Sequence, residues 1–334
     1  VTQRERKLTP ELLDYHKREA LRLRREAMRT TLLRLFQATA LVSFWFLSPW
    51  RRHSGSPAKD GTNTFDESAS MQIDLKNKRA VVTGSTLGIG FAIASGLAEA
   101  GANVVINGRS EKSVKAATEK LNAAYPGAKV EGIAADLATA EGVAAFIGQV
   151  PDTDILVNNL GIFEPKPFED IPDADWLRFF ETNVMSGIRL SRAYLAGMRK
   201  KDWGRIVFVS SESALNIPVE MVHYGMTKTA QLAVSRGLAA TVAGTGITVN
   251  SVLPGPTRSE GVQDFFGKLA KDAGISNAEM EKEFFAKHRP SSLLKRLASP
   301  EEVANMVVYV CSKQASATTG AALRVDGGLV STIA

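Results

Sequence analysis

The chain has 334 residues, 44% of them apolar, and one cysteine. That length suits one large α/β domain with an extension, the lone Cys311 excludes an internal disulfide and fits a reducing compartment, and the four histidines (His16, His53, His223, His288) form no zinc-type cluster, so no metal is expected. The net charge of +6 is uneven: residues 1–70 carry 13 Lys and Arg against 8 Asp and Glu, the rest 28 against 27, so nothing marks the body of the chain as a nucleic-acid binder.

Residues 1–53 read as a basic and apolar helical extension. Thr9-Pro10-Glu11 is a helix start, with a capping residue followed by Pro at the first helical position. Leu35 to Leu47 is mostly apolar and flanked by Arg34 and Arg51-Arg52, but falls short of the ~20 residues a spanning helix needs. Three readings stand side by side: a short or interfacial anchor touching a membrane through residues 32–50, a targeting segment, or a stretch outside the working protein. Residues 54–70 are polar, Gly/Ser-containing and read as a disordered linker.

From residue 71 onward, short β-branched runs alternate with helical patterns. The expected strands are Ala80–Thr83, Asn103–Asn107, Lys129–Ile133, Ile155–Asn158, Arg205–Ser210, Thr248–Leu253 and Ala322–Val325. This alternation predicts a seven-stranded, doubly wound parallel sheet covered on both faces, a Rossmann-type α/β domain over 71–334.

After the first strand comes Gly84-Ser85-Thr86-Leu87-Gly88-Ile89-Gly90, then a periodic segment from Phe91 to Ala100 that stops at Gly101. Strand, glycine-rich turn and helix together let a backbone approach a pyrophosphate at a helix N-terminus. The second strand ends Val104-Val105-Ile106-Asn107-Gly108-Arg109-Ser110. The carboxylate that would bind the ribose hydroxyls of NAD is missing, and Arg109 can pair with the 2′-phosphate of NADP; otherwise it stacks on adenine or faces solvent. NADP(H) is therefore expected over NAD.

Further on stand Asp136-Leu137 after the third strand, Asn158-Asn159-Leu160-Gly161 after the fourth, Asn183 in a long helical stretch, Ser210-Ser211 after the fifth, and Pro254-Gly255-Pro256-Thr257 after the sixth. Tyr224-Gly225-Met226-Thr227-Lys228 sets a phenol and an ammonium one helical turn apart on a shared face. A neighbouring cation favours phenolate, so Tyr224 is expected to act as a general acid/base with a lowered pKa.

Taken in order, these blocks resemble the short-chain dehydrogenase/reductase family over roughly Asp74 to Gly328. Gln72 to Lys78 is similar to the start of many members, and Leu323-Arg324-Val325-Asp326-Gly327-Gly328 to the family's last strand. The resemblance implies a catalytic set of Asn183, Ser211, Tyr224 and Lys228. Ser211, 13 residues before Tyr224, would hold the substrate carbonyl; Lys228 would bind the nicotinamide ribose; Asn183 would hold a water joining Lys228 to solvent. Gly84, Thr86, Leu87, Gly88, Ile89, Gly90, Arg109, Asp136, Leu137, Asn159, Tyr224, Lys228, Pro254, Gly255 and Thr257 would bind the cofactor, with Thr257 or Ser259 near the carboxamide. Asp136 would accept from the adenine amino group or else cap the following helix. Leu160 stands where the family more often has Ala, and Leu87 where many NADP-dependent relatives carry a base.

The resemblance also implies a substrate lid over 258–296, a homotetramer or homodimer, and a cytoplasmic enzyme, with membrane association through the extension as the alternative. The implied reaction is hydride transfer between NADP(H) and a small-molecule ketone or secondary alcohol. Its rivals are a 3-oxoacyl-[acyl-carrier-protein] reductase, a non-catalytic NADP(H) sensor and a membrane-tethered scaffold. Asp202 and Thr245 stand where carrier-docking relatives have basic residues at the site entrance, which argues against the acidic carrier. His223, Glu212, Glu220 and Met221 bracket the serine and tyrosine and are expected to line the pocket.

Overall fold

A computed structural model describes residues 72–333. The expected extension and linker, and with them the membrane-contact reading of residues 32–50, lie outside these residues. Seven strands form one parallel sheet in the order β3-β2-β1-β4-β5-β6-β7: β1 Arg79–Val82, β2 Asn103–Gly108, β3 Val130–Ala134, β4 Ile155–Asn158, β5 Gly204–Val209, β6 Ile247–Pro254 and β7 Ala322–Val325. The expected seven-stranded doubly wound sheet is thus the observed one. The order reverses between β1 and β4, which opens a crevice at their C-terminal ends.

Side chains alternate across this sheet, so it needs cover on both faces. Ala80 and Val82 of β1, with Val207 and Val209 of β5, pack against α1 (Gly88–Glu99) and α9 (Pro300–Cys311) through Ile93, Leu97, Val303 and Val307. On the other face Val81, Ile206 and Phe208 meet α3 (Ala140–Gln149) and α5 (Ser186–Lys201) through Phe146, Leu190 and Tyr194. Helix α2 (Glu111–Ala124) covers the β2–β3 edge through Val114, Ala117 and Leu121. Helix α4 (Asp173–Phe180) runs through a π-helical stretch, Glu181–Met185, into α5, and α6 (Val222–Thr241) follows β5. The expected long helical stretch around Asn183 is thus present, with the π stretch inside it. After β6 come α7 (Glu260–Ala273) and α8 (Asn277–Lys287), whose Phe266 and Phe285 form a small separate core with Leu297.

Most helix starts are signalled by a hydroxyl side chain. Ser110, Thr139, Ser259, Ser276 and Ser299 accept a backbone N–H at the starts of α2, α3, α7, α8 and α9, the last two as full capping boxes with Glu279 and Glu302. Helix α1, like α6, has neither device: Leu87 sits at its N-cap, makes no side-chain cap, and no acidic residue occupies the first turn. Its N-terminal N–H groups are left for another acceptor.

Candidate active site

The glycine-rich turn is built for close approach. Gly84 and Gly88 have φ of +58° and +56°, in the left-handed region that glycine adopts without strain. A Cβ on Gly90 would stand 2.4 Å from the Gly84 carbonyl oxygen and 2.5 Å from Asn159 Nδ2, so only glycine lets α1 pack this tightly on the turn. Asn159 Nδ2 donates to the carbonyls of Thr83 and Gly84, both at 2.9 Å, and fixes the turn from the end of β4. Asn107 braces it from β2: its Oδ1 accepts from Gly84 N at 3.4 Å and its Nδ2 donates to the carbonyls of Ile133 and Ala135, each at 3.1 Å.

These features fit a bound dinucleotide. The uncapped end of α1 offers N–H groups and a positive dipole end to a pyrophosphate. The Thr86 methyl lies against Gly108, because a Cβ there would sit 2.6 Å from it; this brings Thr86 beside the exposed Arg109 at the tip of β2. Leu87 is 61% exposed next to them. Asp136 is exposed and accepts from Ala138 N at 3.1 Å, while Thr139 caps α3 in its place. The alternative expectation for Asp136, helix capping, is therefore corrected. Leu137 is buried in the core behind it. One acidic group intrudes: a Cβ on Gly88 would lie 3.4 Å from Glu260 Oε2, so the first residue of α7 holds its carboxylate at the start of α1.

From this turn a cavity of about 620 Å³ extends to the reacting groups. It is lined by Ile89 and Asn159, by Ser211 and Tyr224, by Lys228, and by Pro254 to Thr257. Tyr224 and Lys228 lie on α6 with the Lys228 Nζ 5.6 Å from the phenol ring centroid. Lys228 is buried and donates to the Val209 carbonyl at 3.0 Å; burial without a carboxylate pulls its pKa down to about 8. Burial pushes the Tyr224 phenol up, with the Glu212 charge adding to the effect and a Ser211 hydrogen bond opposing it. The expected lowering of Tyr224 is corrected: desolvation of the phenol outweighs the Ser211 hydrogen bond that opposes it.

Asn183, in the π-helical stretch, accepts from Ile162 N at 2.8 Å and donates to Ile162 O and Thr227 Oγ1, each at 3.0 Å. It ties the segment after β4 to α6. Gly161 passes between the two groups: a Cβ there would be 3.3 Å from Lys228 Nζ and 3.6 Å from Asn183 Oδ1. Thr257 is buried, with its hydroxyl on the Gly255 carbonyl at 2.9 Å, and Gly255 packs on Asp326 so closely that a Cβ would meet its Cα at 2.8 Å. Ser259 is the N-cap of α7. The fold therefore brings Asn183, Ser211, Tyr224 and Lys228 together, and joins them to the turn that includes Gly84 and Gly90.

Two sequence expectations about the surroundings are corrected. Glu212, Glu220 and Met221 line the cavity, but His223 does not. It is fully buried on another side of α6, with ring centroids 4.1 Å from Phe179 and 5.9 Å from Trp176, and burial depresses its pKa. Asp202 and Thr245 precede β5 and β6, at the N-terminal end of the sheet, so within the chain they do not flank the cavity. The sequence reading singled out neither Phe163, which meets Tyr224 edge-on at 6.4 Å, nor Arg289, whose Nε lies 3.7 Å from Glu212 Oε1. Both come from loops with no motif of their own.

A doubly wound sheet with a dinucleotide cradle opening onto a Ser, Tyr and Lys defines a nicotinamide-linked oxidoreductase. A family model described as Enoyl-(Acyl carrier protein) reductase matches residues 84–330. Over 263 residues the chain is 48% identical to the uncharacterized oxidoreductase YvaG of Bacillus subtilis (strain 168), covering 79% of this chain and all of that protein. It is 35% identical to the 3-oxoacyl-[acyl-carrier-protein] reductase FabG of Aquifex aeolicus (strain VF5), over 78% of this chain and 100% of that one. Among solved structures, L-sorbose reductase from Gluconobacter frateurii, complexed with NADPH and L-sorbose, superposes with a TM-score of 0.75 at 35% identity, covering 79% of this chain and 100% of that one. The chain belongs to the short-chain dehydrogenase/reductase family and is an oxidoreductase acting at a carbonyl or CH–OH group. Among the described residues no helix is long and apolar enough to cross a membrane, and no group of His, Cys, Asp and Glu could hold a metal ion.

Proposed function

We propose that this enzyme is an NADP(H)-dependent reductase of a small-molecule ketone, with Tyr224 as its general acid/base. One observation carries the reading: Ser211, Tyr224 and Lys228 share a cavity with Ile89, Asn159 and Pro254–Thr257, which border the dinucleotide cradle. The likeness to an NADPH-bound reductase supports the cofactor, as do Arg109 and the absence of a carboxylate at the tip of β2.

A bound nicotinamide supplies the hydride to the carbonyl carbon, or accepts it in the reverse direction. Tyr224 gives its phenolic proton to the carbonyl oxygen and takes it back in oxidation. Its high pKa in the buried site keeps the proton in place until negative charge develops on that oxygen. Ser211 donates to the same oxygen and stabilises that charge. Lys228 binds the nicotinamide ribose, and its ammonium eases proton loss from Tyr224. Asn183 holds the Gly161–Ile162 segment against α6 and the water that links Lys228 to solvent. Helices α7 and α8, within residues 258–296, form the lid. The chain works as a homotetramer or homodimer, a reading supported by apolar side chains left outside on and near α4: Leu177 is 66% exposed and Phe168 61%.

A 3-oxoacyl-[acyl-carrier-protein] reductase is the second reading, favoured by the likeness to FabG and by the apolar wall of Phe163, Phe266 and Phe284. The test is NADPH oxidation by the full chain over a panel of ketones, with Tyr224→Phe as control. A kcat loss of roughly 10²- to 10⁴-fold in the variant is the expected result. NADPH binding with no turnover on any carbonyl would favour a sensor instead.

A further inference from the structure

The wall of the cavity beside Ser211 carries a charge cluster that the hydride-transfer set does not use. Glu212 is 4% exposed, although it lies next to the reacting serine. Its Oε2 accepts from Ser211 Oγ at 2.5 Å and from Ser213 Oγ at 2.7 Å. Its Oε1 faces Arg289 Nε at 3.7 Å, an ion-pair distance that is too long for a hydrogen bond. Arg289, just past α8, also reaches Glu220 Oε1 with Nη1 and Nη2, each at 3.4 Å. Two carboxylates therefore share one guanidinium, which leaves this cluster with one negative charge in excess, while Lys287 in the same cavity is paired with Glu283.

We propose that this wall selects a neutral, hydroxylated ketone, one with a hydroxyl on the carbon next to the carbonyl, as in a ketose or a small polyol-derived ketone. The inference rests on the reductase reading above. Ser211 has one proton. When it donates to the substrate carbonyl, the bond to Glu212 is lost, and a buried carboxylate oxygen is left with one donor fewer. Such a loss is costly in a desolvated site. A hydroxyl on the adjacent carbon restores it, donating to Glu212 while Ser211 turns to the carbonyl.

Other substrate classes fit this wall poorly. A substrate carboxylate would meet Glu212 and Glu220 with only one guanidinium between them. A 3-oxoacyl thioester has no O–H beside its ketone, so Glu212 would stay short of a donor. The apolar wall across the cavity, with Phe163, Phe266 and Phe284, then covers the carbon skeleton of the bound ketone rather than a long acyl chain.

The experiment compares matched ketones on the full chain with NADPH: hydroxyacetone against butanone, dihydroxyacetone and a ketohexose as larger members, and acetoacetyl-coenzyme A as the acyl arm. For wild type, kcat/KM for hydroxyacetone should exceed that for butanone by roughly a hundredfold or more, as in sites built around a substrate hydroxyl. In Glu212→Gln that ratio should fall at least about tenfold. Equal or better turnover of butanone or acetoacetyl-coenzyme A by wild type overturns the proposal while leaving the reductase reading intact. That comparison needs no variant, so a misfolded Glu212→Gln cannot protect the idea. Turnover of none of the ketones, with NADPH still bound, sinks the reductase reading and this proposal with it.

Discussion

Ser211 Oγ donates to Glu212 Oε2 at 2.5 Å while accepting from Ser213 N at 3.1 Å. A carboxylate only accepts, so the serine's single proton is committed to its neighbour before substrate arrives. In the proposed mechanism the hydrogen bond that would polarise the carbonyl is held in this side-chain pair, and substrate binding would have to redirect it.

Lys228 sets up an opposition between stability and activity. Its pKa falls from 10.5 in the ordinary state to about 8 in the fold. A lysine depressed on folding costs nothing above the unfolded pKa, and its penalty grows as pH falls from 10.5 to 8 and is complete below. Lys228→Met should therefore raise stability by roughly 1–3 kcal/mol at pH 7, less what the Val209 carbonyl loses, with the gain shrinking toward pH 10. Thermal unfolding of both proteins without cofactor, across that range, checks this; a pH-independent difference would refute the assignment. Activity in the same variant should collapse.

In the proposed function Arg109 carries the preference for NADPH. Arg109→Ala should raise the KM for NADPH by roughly 10- to 100-fold and leave that for NADH within a small factor, since only the 2′-phosphate loses a charge-assisted partner. Equal losses with both nucleotides would mean that the arginine stacks on adenine instead.

Glu260 places a negative charge at the start of α1, where the proposed cofactor would set its pyrophosphate. Glu260→Gln should tighten NADPH binding roughly two- to fivefold at low salt, and the gain should fade as salt is raised. Fluorescence titration of the reduced nicotinamide measures it. Weaker binding in the variant would show that the carboxylate orders the loop rather than competing with the ligand.

Much of this architecture is legible in the sequence because it is local. The strands fall within a residue or two of the β-branched runs, and Ser276 and Ser299 announce their helices through capping boxes. Tyr224 and Lys228 declare a shared face by spacing alone. His223 misleads for the same helical reason: one residue from Tyr224 is a rotation of about 100° around the helix, which turns it from the cavity into the α4 contact. The π-helical stretch at Asn183 has no side-chain signature, and the meeting of Arg289 with Glu212 joins residues that no periodicity connects. For Asp202 and Thr245 the sequence offers only an analogy of position, and the strand directions reveal which end of the sheet they occupy.

Asn107 constrains how this enzyme can be redesigned. An aspartate at the end of β2 is the obvious first step in re-engineering toward NAD. At this position it would remove the amide that serves Ile133 and Ala135 together, a loss of about 0.5–1.5 kcal/mol for each hydrogen bond. It would also set a second full charge beside the turn meant for a pyrophosphate. The accessible route, for an engineer or for drift among descendants of this chain, runs through Thr86, Leu87 and Arg109, which would border the proposed nucleotide without holding the sheet together.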